Sequence, residues 1–181
     1  MIETLISSKT RVKLLLKFFL NGSATAYLRG LESELGESSN AIRLELNKFE
    51  KAGLLTTANQ GNKKIFTANQ QHPLFKDIHN ILLKYVGIDQ IMDNVISDLG
   101  NLWRVYLAGD FAKGLDAKII DLVFIGELDR EYLSSLCEKA EKLIDKRIRY
   151  ITFSKDEFSR FFDDDKKQEM LLLWTQNHGA I

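Results

Sequence analysis

The sequence predicts a chain of two parts, α+β followed by α/β, on three observations. Residues 8–69 run as helix, glycine-led turn, helix and hairpin. From residue 105 the order becomes β-α-β-α-β-α, a layered α/β arrangement. The formal charge is zero over 181 residues but splits between the parts. Residues 1–70 hold 10 Lys+Arg against 6 Asp+Glu, a balance of +4, and residues 71–181 hold 15 against 19, a balance of −4. The resulting division is 1–72, a connector of helices at 73–100, and 101–181.

Ser8–Leu20 reads as the first helix, with Val12, Leu15, Leu16 and Phe19 at helical spacing and Asn21-Gly22 as its stop. Lys9, Arg11, Lys13 and Lys17 surround it. Thr25–Leu35 reads as the second helix, apolar at Leu28, Leu31 and Leu35, with Gly36 directly after. Ser38–Leu55 reads as the third. Ser38 or Ser39 can cap it, since a hydroxyl accepts from the free N–H groups of a first turn, and Gly53 suits its left-handed end. At about 100° per residue, Ile42, Leu46, Phe49 and Gly53 share one face. Asn40, Arg43, Leu44, Asn47 and Lys51 share the opposite face, which has no acid. Such a face is either merely solvated or suited to a DNA major groove, where Arg reads guanine and Asn reads adenine.

Leu55–Ala58 and Lys64–Ala68 then read as strands about the turn Asn59-Gln60-Gly61-Asn62. Gln60, Asn62, Lys63 and Lys64 at this tip suit phosphate or minor-groove contact, which positions a protein without reading sequence. His72-Pro73 marks a break. Leu74–Tyr85 and Ile88–Leu99 read as amphipathic helices on either side of Gly87, able to link the two parts or pair with a second copy.

In the second part, Val105–Ala108 is a short strand ending in Gly109. Ile119–Ile125 is almost wholly apolar, as a strand covered on both faces should be. Asp129 caps a helix to Ile144, and Arg147–Phe153 alternates as a strand. Ser154 and Glu157 form a capping-box pattern. Two helical segments are expected to close the chain, the last beginning at Asp163-Asp164-Asp165, where acids suit a helix start.

Composition bounds the function. The chain is 45% hydrophobic and 28% charged, as ordinary globular proteins are. No apolar run reaches the roughly 20 residues of a membrane span. The cluster Leu14–Leu20 is broken by Lys17 and lacks a small-residue cleavage site, so no signal peptide is read and a cytoplasmic location is expected. One cysteine, Cys137, excludes an intrachain disulfide and a cysteine-based zinc cluster, and as an apolar helix-face residue it reads as core. His72, His79 and His178 are scattered, and no metal is assigned to them. GDFAKG lacks the Lys-Ser/Thr ending of a phosphate-binding P-loop. Trp103 and Trp174 read as packing residues. No cofactor is expected.

The first 75 residues resemble the winged helix-turn-helix domains of ArsR/MarR-like bacterial regulators. The resemblance rests on Arg11 and Leu14–Leu16, on Leu28 through Leu35, on Ala41-Ile42 with Leu46, Phe49 and Ala52-Gly53-Leu54, and on the stretch GNKKIFTANQQHPLF. It implies a DNA-binding transcriptional regulator, expected as a homodimer on double-stranded DNA. Arg43, Asn40 and Asn47 would approach base edges. Ser39, Lys51, Asn62, Lys63 and Lys64 would hold the backbone. Leu44 sits among the readers, where it would meet a thymine methyl or belong to an interface.

YLAGDFAKGLDAKIIDLVFIG, Tyr106–Gly126, resembles the opening of a nucleotidyltransferase fold, in which Gly-Ser ends one strand and Asp-x-Asp on the next binds magnesium. Here Gly109 is in place, Asp110 replaces the serine, Ile119 replaces the first aspartate and Asp121 remains. Arg147–Phe153 offers no third carboxylate. The resemblance therefore implies a catalytically dead domain serving dimerisation, partner binding or sensing of a small molecule or nucleotide, with Gly109, Asp110 and Asp121 as the remnant. Two alternatives stay open. One is an active metal-dependent nucleotidyltransferase docked through its winged part; the other is a buried strand of some unrelated α/β domain.

Overall fold

The computed structural model describes residues 6–88, 100–144, 146–163, 169–176 and 179–180. These hold seven α-helices, one π-helical stretch and two β-sheets. The chain divides into two compact units, Met1–Tyr85 with Gly114–Asp116, and Val86–Lys113 with Ala117–Ile181.

The first unit begins with α1, Lys9–Leu15, whose N-cap Ser8 accepts from Arg11 N–H. It continues as a π-helical stretch, Leu16–Leu20. Thr25–Leu35 is not one helix: Thr25–Tyr27 forms strand β1, and α2 spans Leu28–Leu35. Thr25 and Tyr27 are β-branched and aromatic, and they find partners in a later strand; only the Leu28, Leu31, Leu35 spacing belonged to the helix. Gly36, at φ 64°, ends α2. Helix α3 is Ser39–Lys51, with Ser38 as its cap.

Helix α3 stops short of the expected Leu55. Ala52 is the C-cap, and Gly53 at φ 73° reverses the chain. Gly53 N–H then donates to Glu50 O at 2.9 Å and Leu54 N–H to Phe49 O at 2.9 Å, the bond pair of a Schellman ending. Strands β2, Leu55–Gln60, and β3, Lys63–Ala68, follow. They turn through Gly61-Asn62 alone, with Gln60 opposite Lys63. The strand order is β1-β3-β2, all antiparallel. Helix α4, Phe75–Val86, comes next. The helix expected at Ile88–Leu99 lies outside the described residues, apart from Ile88.

Ile42, Leu46 and Phe49 of α3 are buried, as their spacing required, beside the fully buried Leu14, Leu16, Phe18, Phe19 and Leu31. Phe19 joins two parts of this core, meeting Phe49 edge-on at 6.4 Å and Phe75 of α4 at 5.6 Å between ring centroids.

The second unit is built on a five-stranded sheet of order β6-β5-β4-β7-β8. Strand β4, Gly100–Ala108, is longer than expected and irregular between Leu102 and Arg104. It leads into α5, Gly109–Ala112, and then β5, Ile119–Leu128. Helix α6, Arg130–Ile144, crosses to β6, Arg147–Phe153, which runs parallel to β5. Helix α7, Lys155–Phe161, starts in the capping box: Ser154 N–H donates to Glu157 Oε2 at 2.8 Å, and Glu157 N–H to Ser154 Oγ at 3.2 Å. The expected closing helix is corrected in part. Leu171–Thr175 is β7, paired with β4, and β8 is Gly179–Ala180. A short apolar run such as Leu171–Trp174 cannot be told from a helix by period, and the open edge of β4 claims it. Residues 164–168, with most of the acidic run, lie outside the described set.

Leu122, Val123, Phe124 and Ile125 are all buried, so both faces of β5 are covered. One face carries Tyr106, Val123, Ile125 and Phe158. Phe158 stacks on Tyr106 at 5.5 Å and on Phe162 at 4.8 Å. Inward residues of α6 are Leu133, Leu136, Cys137 and Ala140.

Candidate functional site

The outer face of α3 is laid open by the way its inner face is held. Glu45 is 6% exposed. Arg11 donates to it twice, Nε to Oε2 at 2.7 Å and Nη2 to Oε1 at 3.2 Å, and Lys48 adds Nζ to Oε1 at 3.1 Å. The Arg11 guanidinium holds the Glu45 carboxyl below the usual glutamate range, against the burial that raises it. The buried acid of α3 is thus neutralised by Arg11 of α1 and by Lys48 of α3 itself, and Asn40, Arg43, Leu44, Asn47 and Lys51 are left exposed on the far side.

Arg43 and Asn47 line a cleft of about 680 Å³ whose other walls come from the start of α2 and from the β2–β3 hairpin. Asn62, Lys63 and Lys64 reach it from the hairpin, so five of the eight sequence-predicted DNA contacts meet in one place. Ser39, Asn40 and Lys51 do not line it. Ser39 is the first helical residue, and the capping role belongs to Ser38.

Two lining residues escaped the sequence reading, Tyr27 and Arg29. Placing a helix across Thr25–Leu35 had put both inside it. Tyr27 in fact ends β1, and the ammonium of Lys63 stands 4.3 Å from its ring centroid. The hairpin cations differ in their surroundings. Lys64 Nζ donates to both oxygens of Glu50 at 2.7 Å, and Thr57 Oγ1 adds a third bond to that carboxylate at 3.1 Å. Lys64 accordingly keeps the Glu50 carboxyl below its ordinary range. The cleft is therefore basic through Arg29, Arg43 and Lys63, with Lys64 offset by an acid of α3.

The second candidate group is Gly109, Asp110 and Asp121. Gly109, at φ 65°, opens α5 directly after β4, and Asp121 is the third residue of β5. Asp121 is registered with Ala108 on one side and with Arg149 of β6 on the other. Arg149 Nε donates to Asp121 Oδ1 at 2.5 Å. Hydrogen bonding and the charges of Asp121 and Asp110 raise the Arg149 pKa. Magnesium, which the nucleotidyltransferase resemblance implies, does not fit these residues. The carboxylate that would bind it is bonded to a guanidinium, and among the described residues no three His, Cys, Asp or Glu side chains are grouped to hold a metal.

The remaining candidates have structural partners. His79 Nδ1 lies 2.8 Å from Phe19 O, and His72 Nδ1 accepts from Leu74 N–H at 3.2 Å. His178 lies outside the described residues. Cys137 is buried, and desolvation, with the charge of Glu141, pushes its thiol up to about 12, far from a reactive thiolate. Among the described residues no helix is long and apolar enough to cross a membrane.

No protein-family model matches the chain, and no curated protein matches it significantly. Solved structures give partial likenesses. A provisional nucleotidyltransferase of Sulfolobus solfataricus is 24% identical at a TM-score of 0.39, over 56% of this chain and 87% of its own. An Archaeoglobus fulgidus protein is 18% identical at 0.37, over 45% and 93%. A possible transcriptional regulator for arsenical resistance is 21% identical at 0.30, over 52% and 90%. The neighbours thus name both a nucleotidyltransferase and a regulator. At these scores they carry no argument about what this chain does.

Proposed function

We propose that the chain is a DNA-binding transcriptional regulator whose first unit is a winged helix-turn-helix. The observation that carries the reading is the acid-free outer face of α3 bordering a cleft lined by Arg29, Arg43 and Lys63. In this reading α2, the Gly36 turn and α3 form the helix-turn-helix, and β2–β3 is the wing. Helix α3 enters the major groove with Arg43 and Asn47 at base edges, Asn40 beside them and Leu44 against a thymine methyl. Lys63, Asn62, Ser39 and Lys51 take backbone positions, and Lys64 does so only by sharing itself with Glu50. A homodimer would set two recognition helices about one helical turn apart on a two-fold site.

The second unit is read as nucleotidyltransferase-like without the metal chemistry, serving dimerisation, partner binding or sensing of a nucleotide or other small molecule. The opposing reading, an active nucleotidyltransferase, keeps Gly109 and Asp121 in its favour. It must explain how a carboxylate bonded to Arg149 would bind magnesium.

Selection of duplexes from a random pool, followed by anisotropy titration, tests the proposal. Arg43→Ala should weaken the selected site by about 1–3 kcal/mol and relax one base position, whereas Lys63→Ala should weaken all sequences alike. A chain that selects no duplex, or one whose affinity is unchanged in the double variant, would overturn the assignment. Sedimentation of the free chain reads the dimer. Incubation with labelled nucleoside triphosphates and magnesium, with Asp121→Ala as control, reads the opposing function.

A further inference from the structure

Asp121 and Arg149 are direct neighbours in the parallel pair β5–β6, so their side chains leave the same face of the sheet. Asp121 Oδ1 accepts from Arg149 Nε at 2.5 Å. Oδ2 lies against Gly109, so close that a Cβ built on residue 109 would stand 2.3 Å from it. The carboxylate is thus set between a glycine that has made room for Oδ2 and a guanidinium bonded to Oδ1. The Asp121 side chain is only 19% exposed, whereas that of Arg149 is 72% exposed and rises from an edge strand.

We infer that Arg149 is the resident cation of this site, and that its guanidinium closes the Asp121 carboxylate to a divalent cation. A hard cation needs several oxygens converging on it, and its hydration shell must be replaced. A guanidinium bonded to the Asp121 carboxylate removes one donor oxygen and opposes the approach of a second positive charge. Arg does not lose its proton in proteins, so Arg149 cannot step aside by neutralising. Position 149 is in register with Asp121, so Arg149→Asp would exchange the blocking cation for a second carboxylate on the same face. The inference deepens the nucleotidyltransferase-like reading of the second unit. It does not depend on DNA binding, and a failure of the duplex selection leaves its readouts untouched.

The test uses the full chain with Mn²⁺ as a paramagnetic probe and Mg²⁺ in calorimetry. In the native chain Mn²⁺ should leave the amide signals of residues 109, 110 and 121 unbroadened, and Mg²⁺ should give no saturable heat. In Arg149→Asp the same amides should broaden at sub-stoichiometric Mn²⁺, Mg²⁺ should bind saturably, and both effects should vanish on adding Asp121→Asn. Selective broadening at Asp121 in the native chain would overturn the inference. So would a folded Arg149→Asp chain that binds neither ion. If that variant does not fold, Arg149→Gln is read by the same signals: gained broadening at Asp121 supports the inference, and its absence overturns it.

Discussion

Glu45 lies on the inner side of α3, and Arg11 and Lys48 both reach it. Removing one partner of a buried pair leaves the other charged in a poor solvent, which typically costs 3–5 kcal/mol. The Arg11 side chain is 35% exposed, so screening reduces that figure. Arg11→Ala should lower the unfolding free energy by about 1–3 kcal/mol in urea titrations, and Arg11→Met with Glu45→Leu should lower it less. The pH dependence has a definite sign. Glu45, through hydrogen bonding to Arg11, and Glu37, through hydrogen bonding to Lys13, are both held below their ordinary 4.5 in the folded chain. Their ionised forms therefore stabilise the fold fully above that value, and the stabilisation is lost as pH falls through the lower folded values. Stability should decline below about pH 4.5, and Arg11→Ala should flatten part of that decline. At this scale the sequence was informative wherever a residue acts through its own helix face, as with Ile42, Leu46 and Arg43. It was silent on Glu45 with Arg11, 34 positions away, and on Asp121 with Arg149, 28 positions away. Those partners are chosen by helix packing and strand order, which local spacing does not encode.

Caps and turns decide the elements, and they were the most legible feature. Ser38, Gly36, Gly53 and the Ser154–Glu157 box all stand where their chemistry placed them. Ser154→Ala removes an acceptor from the first turn of α7 and should cost about 0.5–2 kcal/mol by thermal denaturation. Gly109→Ala should be harder on the second unit. It asks an L side chain for φ 65° and brings a methyl against Asp121 Oδ2, so a loss of at least 1–2 kcal/mol is expected, with broadened Arg149 side-chain signals. The illegible elements were those whose identity depends on a neighbour. Thr25–Tyr27 becomes a strand because β3 offers an edge, and Leu171–Thr175 because β4 does. In each case the local pattern was too short to oppose the sheet.

Over the whole chain the charges cancel, so attraction to a polyanion must come from arrangement rather than net charge. Within residues 1–70 four of the 10 cations are already committed, Arg11, Lys13, Lys17 and Lys64 being bonded to Glu45, Glu37, Glu34 and Glu50, so the +4 balance is unchanged but is carried by fewer uncommitted cations. The grip of Glu50 on Lys64 has a consequence for the thermodynamics of association. Affinity for a duplex depends on salt because each cation that neutralises a phosphate frees condensed counterions, about 0.9 per contact on B-DNA. A lysine that arrives with its own carboxylate frees fewer. Lys51, Lys63 and Lys64, the cations at backbone positions, would together give a slope of roughly −2.7 in log affinity against log salt if each met one phosphate. With Lys64 offset by Glu50, these three should give a slope of roughly −1.8, and Glu50→Gln should steepen it by about one while raising affinity at low salt. A titration series across salt concentrations would read that difference directly, with Glu50 acting as a built-in regulator of how steeply binding answers to ionic strength.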